Sequence, residues 1–362
     1  MCLPAEVALE ILDSLQPNTT WLRPTRSRTI MYRRTLHSLA LVSRAWNILT
    51  LPYLWREVRI DSRRVALLIS QGCSLVKYAK HVQRLLVVLG REQDPELQVL
   101  GQADIPLLLS ILSKTPNLNY LALEYGTHEI VHQILSCPTL SSLTSLDVSC
   151  ASETFEFPGE RVSTLFELER LRISGGFQLE STPSQPLLRR LQRLHSLDII
   201  LSDDYPSLVS LDQLLGASPN LGHLTVHFTN SEASATSFPH ILARHPELRI
   251  THLSLLELPP TLLYTYLECR FPTLASLEII MSKKWNHHQL DDFADQFTSA
   301  TNGESFPALK SFNLSVQGLY STKHRFDQLE RMESVFHTSC ASKNIDFELH
   351  KICSILHMFV WS

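Results

Sequence analysis

Apolar residues recur along this chain as a triplet of the form L-x-x-L-x-L, whose last two positions share one face of a strand. The triplet occurs at Leu118/Leu121/Leu123, Leu143/Leu146/Val148, Leu168/Leu171/Ile173, Leu194/Leu197/Ile199 and Leu221/Leu224/Val226. It continues at Ile250/Leu253/Leu255, Leu274/Leu277/Ile279 and Leu309/Phe312/Leu314, with weaker copies earlier at Trp55/Val58/Ile60 and Val82/Leu85/Val87. From Leu118 to Leu274 successive first positions differ by 25, 25, 26, 27, 29 and 24 residues. A period of that size predicts stacked supersecondary units, each burying its apolar side against its neighbours. Between triplets lie longer apolar stretches with helical spacing, such as residues 105–112 and Leu208, Val209, Leu211, Leu214 and Leu215. Each repeat therefore reads as one short strand plus one helix. Proline precedes the strand in Pro116-Asn117-Leu118, Pro219-Asn220-Leu221, Pro246-Glu247-Leu248, Pro272-Thr273-Leu274 and Pro307-Ala308-Leu309. Because proline ends helices and cannot donate to a ladder, it marks the turn from helix to strand.

Strand side chains alternate, so the residues between the inward leucines form an opposite, polar face. Its central column reads Ala122, Asp147, Arg172, Asp198, Thr225, Ser254, Glu278 and Asn313. Beside it run Tyr120, Ser145, Arg170, Ser196, His223, His252, Ser276 and Ser311. Asp147, Arg172 and Asp198 should lie on adjacent parallel strands about 4.8 Å apart, close enough to pair. A partner bound on this face would meet Tyr120, Asp147, Arg170, Arg172, Asp198, His223 and His227; alternatively the three central charges merely neutralise one another on a solvated sheet.

A different pattern precedes the repeats. Leu3-Pro4-Ala5-Glu6-Val7 leads into Ile11-Leu12 and Leu15, and after an interruption come Leu36, residues 39–46 (Leu-Ala-Leu-Val-Ser-Arg-Ala-Trp) and Leu51-Pro52. Val7, Ile11, Leu12 and Leu15 share one helical face, as do Leu39, Val42 and Trp46, which predicts two or three short helices with Pro4 in the first turn. Between Leu15 and Leu36 an acid-free stretch holds Arg23, Arg26, Arg28, Arg33 and Arg34. It reads as a solvated insertion over residues 16–35, with a nuclear-import or anion-binding patch as the other reading.

The N-terminal pattern Leu-Pro-x-Glu-Val, Ile-Leu and Leu-Val-Ser-Arg-Ala-Trp resembles an F-box, and the array that follows resembles the longer, helix-containing leucine-rich repeats. Together they resemble an F-box/leucine-rich-repeat protein of the fungal type. The connection over residues 16–35 is longer than is usual in the family. The Asn or Cys expected three residues after the last strand leucine is replaced by Gly126, Ala151, Gly176, Ser202, Thr229 and Ser282. The resemblance implies an α/β solenoid: an irregular leucine-rich-repeat horseshoe, parallel strands concave and helices convex, after a small all-α F-box. Domains would be 1–58, 59–346 for the repeats, and 347–362 as a hydrophobic C-terminal cap. The resemblance further implies a Skp-type adaptor as partner, and through it cullin, with Leu3, Pro4, Ile11, Leu12, Leu15, Val42 and Trp46 at the adaptor interface. The implied role is the substrate-recognition subunit of an SCF-type cullin-RING ubiquitin ligase, catalysing nothing itself, its repeats holding an unidentified protein substrate. A repeat scaffold outside any ligase is the alternative.

Composition narrows the remaining classes. Leucine supplies 64 of 362 residues against 11 glycines, and Lys+Arg total 32 against 36 Asp+Glu, for a net charge of −4. That balance argues against a strongly basic nucleic-acid binder, and the leucine excess against a glycine-rich nucleotide pocket. No run of 18 uncharged apolar residues occurs, and the start carries Glu6, Glu10 and Asp13 without a base, so no membrane partner and an intracellular place, cytoplasm and/or nucleus, are expected. Seven cysteines without a C-x-x-C pattern are expected as free thiols. His128-Glu129-Ile130-Val131-His132 spells H-E-x-x-H, the zinc-peptidase pattern in which two histidines bind the metal and the glutamate activates water. Ile130, Val131, Ile134 and Leu135 should face the core, leaving His128, Glu129 and His132 off that side as on a solvated helix, so no metal or other cofactor is expected and a peptidase is a minor alternative.

Overall fold

The computed structural model describes residues 5–15, 26–62, 66, 69, 78–89, 100, 102–150, 155–157, 165, 167–174, 177–179, 191–201, 205–228, 232–258, 271–281, 287–302, 305–317 and 323–352. The chain forms two compact units, Met1–Leu143 and Thr144–Ser362.

The first unit begins with α1 (Ala5–Ser14), α2 (Arg26–Val42) and α3 (Arg44–Arg56). Ser43 separates the last two: its backbone is extended (φ −160°, ψ 167°), and its Oγ accepts the Trp46 amide at 3.2 Å, capping α3. Tyr53 on α3 donates its hydroxyl to Asp13 Oδ1 at 3.0 Å, fastening α3 to the end of α1. Burial and this bond push the Tyr53 phenol up, and burial pushes Tyr32 to about 12. Ala8, Leu12 and Leu36 are buried. The arginine-rich stretch expected as an insertion through residue 35 is helical from Arg26 onward. Arginine is a good helix former and the stretch runs straight into the Leu36/Leu39 stripe, so charge alone does not make it a loop.

The chain passes from α3 into β1 (Glu57–Ile60), which pairs in parallel with β2 (Arg84–Val88), and β2 with β3 (Tyr120–Gly126). The register aligns Val58, Leu85 and Leu121, the triplet positions, all buried. Between β2 and β3 lies α4 (Ile105–Ser113), with Pro106 in its first turn, where the missing amide hydrogen costs nothing. After β3 comes α5 (His128–Leu135). Gly126 is required where they meet, since a Cβ there would lie 2.6 Å from Val131 Cγ2 and 3.0 Å from Leu89 Cδ1.

In the second unit the strands β4 (Ser145–Cys150), β6 (Arg170–Ser174), β8 (Ser196–Leu201), β9 (His223–Phe228), β10 (His252–Leu258), β11 (Ser276–Met281), β12 (Ser311–Gln317) and β13 (Asp346–Ile352) lie side by side in that order. All neighbours are parallel. Three-residue strands β5 (Phe155–Phe157) and β7 (Phe177–Leu179) pair separately. Helical crossovers are α6 (Tyr205–Ala217) before β9, α7 (Glu232–Ala243) before β10, α8 (His287–Asn302) before β12 and α9 (Lys323–Ala341) before β13. One face of the sheet is the core: Leu146, Val148, Leu171, Ile173, Leu197, Ile199, Leu224, Val226, Leu253, Leu255, Leu277, Ile279, Phe312 and Leu314 are all buried. Toward β13 phenylalanine replaces leucine, and Phe293, Phe297, Phe312, Phe336 and Phe347 form one cluster, with the Phe297 and Phe312 centroids 4.2 Å apart.

The segment expected as a cap from Phe347 starts instead inside β13, where Phe312 pairs with Phe347 and Leu314 with Leu349. Asn344 takes φ 56° and ends the α9 turn that launches the strand, and the Ile345 amide returns to the Cys340 carbonyl at 2.9 Å. This strand lacks an apolar first triplet position, so the repeat pattern does not reveal it. Residues 353–362 of the expected cap lie outside the described residues.

Neighbouring repeats are also tied by side chains three residues before their strands. Within the first unit Asn117 Nδ2 donates to the Lys80 carbonyl at 2.6 Å and Ser142 Oγ to the Leu118 carbonyl at 3.2 Å. Within the second, Asn220 Nδ2 donates to the Gln192 carbonyl at 2.7 Å and Thr273 Oγ1 to the Ile250 carbonyl at 2.9 Å, while Arg193 pairs with Glu167. The expectation of no asparagine after the strand leaves room for this tether before it.

Candidate functional site

Two surfaces are candidates, one in each unit. The first is the outside of α1–α3. Ten large apolar side chains are exposed among the described residues, and eight of them fall within residues 7–48: Val7, Leu9, Ile11, Leu15, Met31, Leu41, Val42 and Ile48. Val7, Leu9, Ile11 and Leu15, on α1 or just after it, are 37–39% exposed, while Met31, Leu41, Val42 and Ile48 are each 67% or more exposed. Concentrated apolar exposure of this kind on a small helical module marks a surface that meets a partner. Of the residues expected at the adaptor interface, Ile11, Leu15 and Val42 are exposed and Trp46 is half-buried. Leu12 is 0% exposed and packs inside the module, because its position one residue after Ile11 turns it to the inner face of α1. Leu3 and Pro4 lie outside the described residues.

The second surface is the polar face of the second-unit sheet. The parallel register lines up Ser145, Arg170, Ser196, His223, His252, Ser276 and Ser311 as one row, and Asp147, Arg172, Asp198, Thr225, Ser254, Glu278 and Asn313 as the next. Arg172 Nε lies 3.2 Å from Asp198 Oδ2, and Asp147, only 5% exposed, aligns with Arg172 on the other side. Ser254 Oγ donates to Glu278 Oε2 at 2.7 Å, and Ser311 to Ser276 at 2.9 Å. The His223 and His252 rings stack, centroids 4.1 Å apart and planes 14° apart. Burial lowers the His223 pKa, helped by His252, Arg170 and His195, and burial lowers that of His252, so at neutral pH both imidazoles are uncharged.

His227 occupies the third row, where its side chain is 12% exposed and its Nε2 stands 3.2 Å from Glu257 Oε2. Glu257 escaped the sequence reading. It sits at a register irregularity in β10 between Leu256 and Leu258, with φ 56°, which re-aims its side chain. The signal was present: Leu255-Leu256-Glu257-Leu258 breaks strict alternation. Tyr120 belongs to the first unit, where the Arg84 guanidinium lies 4.4 Å above its ring and Arg84 Nε is 3.8 Å from Glu57 Oε2. Glu57, Arg84 and Tyr120 are one register row across β1, β2 and β3.

The H-E-x-x-H residues do lie on one short helix. Ile130, Val131, Ile134 and Leu135 are buried, Glu129 is exposed, and Gln102 Nε2 donates to Glu129 Oε2 at 3.3 Å. Among the described residues no group of three His, Cys, Asp or Glu side chains is placed to hold a metal ion. Nor, among them, is any helix long and apolar enough to cross a membrane.

Residues 1–61 match the F-box-like family model. That segment coincides with α1–α3 and β1, the part of the chain that carries the exposed apolar surface. No curated protein matches the chain.

Proposed function

We propose that this chain is the substrate-recognition subunit of an SCF-type cullin-RING ubiquitin ligase. The F-box-like helices dock on a Skp-type adaptor, and a leucine-rich-repeat-like array presents a polar sheet face to a protein substrate. The observation that carries this reading is the coincidence of the F-box-like match at residues 1–61 with the exposed apolar side chains of α1–α3. F-box domains bind Skp-type adaptors, and such a docking covers the apolar groups that the isolated chain leaves in water. Ile11, Leu15, Val42 and Trp46 belong to the proposed interface, together with Leu3 and Pro4; Leu41 and Ile48 extend it. The mechanism is proximity: a substrate held on the same subunit as the adaptor raises the local concentration of its lysines at a conjugating enzyme carried elsewhere in the complex, without a catalytic residue here.

Co-purification with the Skp-type adaptor tests this, comparing the wild-type chain with Val42→Asp and Ile48→Asp. Both side chains are exposed, so each substitution should change folding stability by no more than about 0.5 kcal/mol. Capture by the wild type, lost in either variant at an unchanged unfolding temperature, supports the ligase reading. A wild type that does not bind the adaptor overturns it and leaves a repeat scaffold outside any ligase.

A further inference from the structure

β13 pairs in parallel with β12 and, among the described residues, has no strand on its other side. The Asp346 amide donates to the Lys310 carbonyl at 2.8 Å, which fixes the side toward which each peptide group points. Residues of a strand in a parallel ladder turn their N–H and C=O alternately to its two sides, so Asp346, Glu348 and His350 serve β12. Phe347, Leu349 and Lys351 turn theirs to the open edge. Side chains alternate too: Phe347 and Leu349 lie on the core face, and Asp346, Glu348 and His350 on the polar face. Leu349 is only half-buried, whereas its register partner Leu314 and the next one inward, Ile279, are buried. The core runs out at this edge, and an edge of this kind is a template for another strand.

We propose that the occupant of this edge is β13 of a second copy of the chain, running antiparallel about a twofold axis at Leu349. The charges of the strand select that register. With the axis at Leu349, Glu348 stands opposite the partner's His350 and His350 opposite the partner's Glu348. An axis at Glu348 would set the two glutamates face to face, and one at His350 would set imidazole on imidazole and take Glu348 to Ile352. A shift by a single residue would put core-facing side chains opposite polar ones. The Leu349 register also matches the backbone. Leu349 meets Leu349 and Phe347 meets Lys351, all residues with outward peptide groups, and each facing pair exchanges two hydrogen bonds. Glu348 and His350 then fall at the closer spacing between them, with Cα atoms about 4.5 Å apart.

Within one chain His350 Nε2 already stands 3.2 Å from Glu348 Oε2, and the two side chains are 53% and 59% exposed. The dimer joins two such pairs into a ring of alternating acid and imidazole. On β12 the register partners of Asp346, Glu348 and His350 are Ser311, Asn313 and Ser315, which carry no charge to compete for them. Both copies use the same edge, so the pairing is isologous and closes at two. β13 has 7 residues, and pairing over that length covers less than an obligate interface does, so the dimer is a weak one with Kd on the order of 10 μM. It draws on the second unit alone and stands whether or not the adaptor binds.

Sedimentation velocity of the full chain is the test. The wild type should pass from monomer to dimer between about 1 μM and about 100 μM. Glu348→Lys and His350→Glu each remove the opposite-charge pairs across the axis and should each weaken self-association about tenfold. Both positions are exposed, so the unfolding temperature should stay unchanged in each. Mixed one to one, the two variants should regain wild-type association, because the new lysine of one chain meets the new glutamate of the other while His350 of the first meets Glu348 of the second. Hydrogen exchange at the Leu349 amide should slow as the wild-type concentration rises. A wild type that is monomeric at about 100 μM overturns the proposal, as does a mixture that associates no better than its components. Slow exchange at Leu349 in such a monomer would assign the edge to residues 353–362 of the same chain instead of a second copy.

Discussion

At the scale of single residues the sheet face shows how neighbours set chemistry that a residue name leaves open. His223 and His252 become a stacked pair because two strands align them, and burial holds both below the ordinary histidine range, with His252, Arg170 and His195 adding to it at His223. Their folded pKa values are lowered, so the unfolded chain binds more protons than the native one as pH drops through about 6.5. Stability is therefore full above that value and declines below it. Urea unfolding midpoints between about pH 7.5 and about pH 5 should fall for the wild type, and fall less for His223→Gln, His252→Gln; equal slopes would remove the pair from the explanation. Burial works in the opposite direction on Cys340, whose thiol it pushes up to about 11, so Cys340 is a small core residue rather than a nucleophile. Gly126 is fixed by contact alone, since no side chain fits between the end of β3 and Val131.

At the scale of elements the strands were legible and several of their neighbours were not. Each of the ten apolar triplets falls on or just before a strand, because a strand buried on one face needs alternation and the proline before it stops the helix. The same rule missed β13, whose first triplet position is Asn344 in a left-handed turn, and the three-residue strands β5 and β7, too short to show a period. The arginines of the expected insertion over residues 16–35 gave no apolar period of their own, yet from Arg26 onward they belong to α2, since arginine favours helix. The tether three residues before the strands was hidden for another reason: Asn117, Ser142, Asn220 and Thr273 differ in type but share a task, reaching a carbonyl of the preceding repeat. Asn220→Ala removes the bond to the Gln192 carbonyl and should lower stability by about 1 kcal/mol, with Asn220→Asp no better because it cannot donate; chemical denaturation of the three chains checks this.

At the scale of the molecule the two candidate surfaces belong to separate compact units and have different chemistry, one apolar and one polar. Sites without shared partners act additively. Val42→Asp should abolish adaptor capture, whereas Asn220→Ala in the other unit should leave it unchanged within about twofold; co-purification of the two proteins would expose any coupling. The sequence by itself determined the strand-and-helix repeat, the inward leucines, the order of the polar columns and the helical start, because periodicity and proline act locally and side-chain alternation leaves no choice of face. It also carried the F-box-like pattern. Only the tertiary structure decided which residues of that pattern are available: Ile11 and Val42 stand in water while Leu12 is enclosed, a distinction set by how three helices pack and not by any hydrophobicity scale. It likewise decided that Glu257 meets His227, through a bulge, and that two histidines 29 positions apart stack, through the register of parallel strands. Such pairings depend on where distant segments come to rest, and no local pattern along the chain encodes that distance.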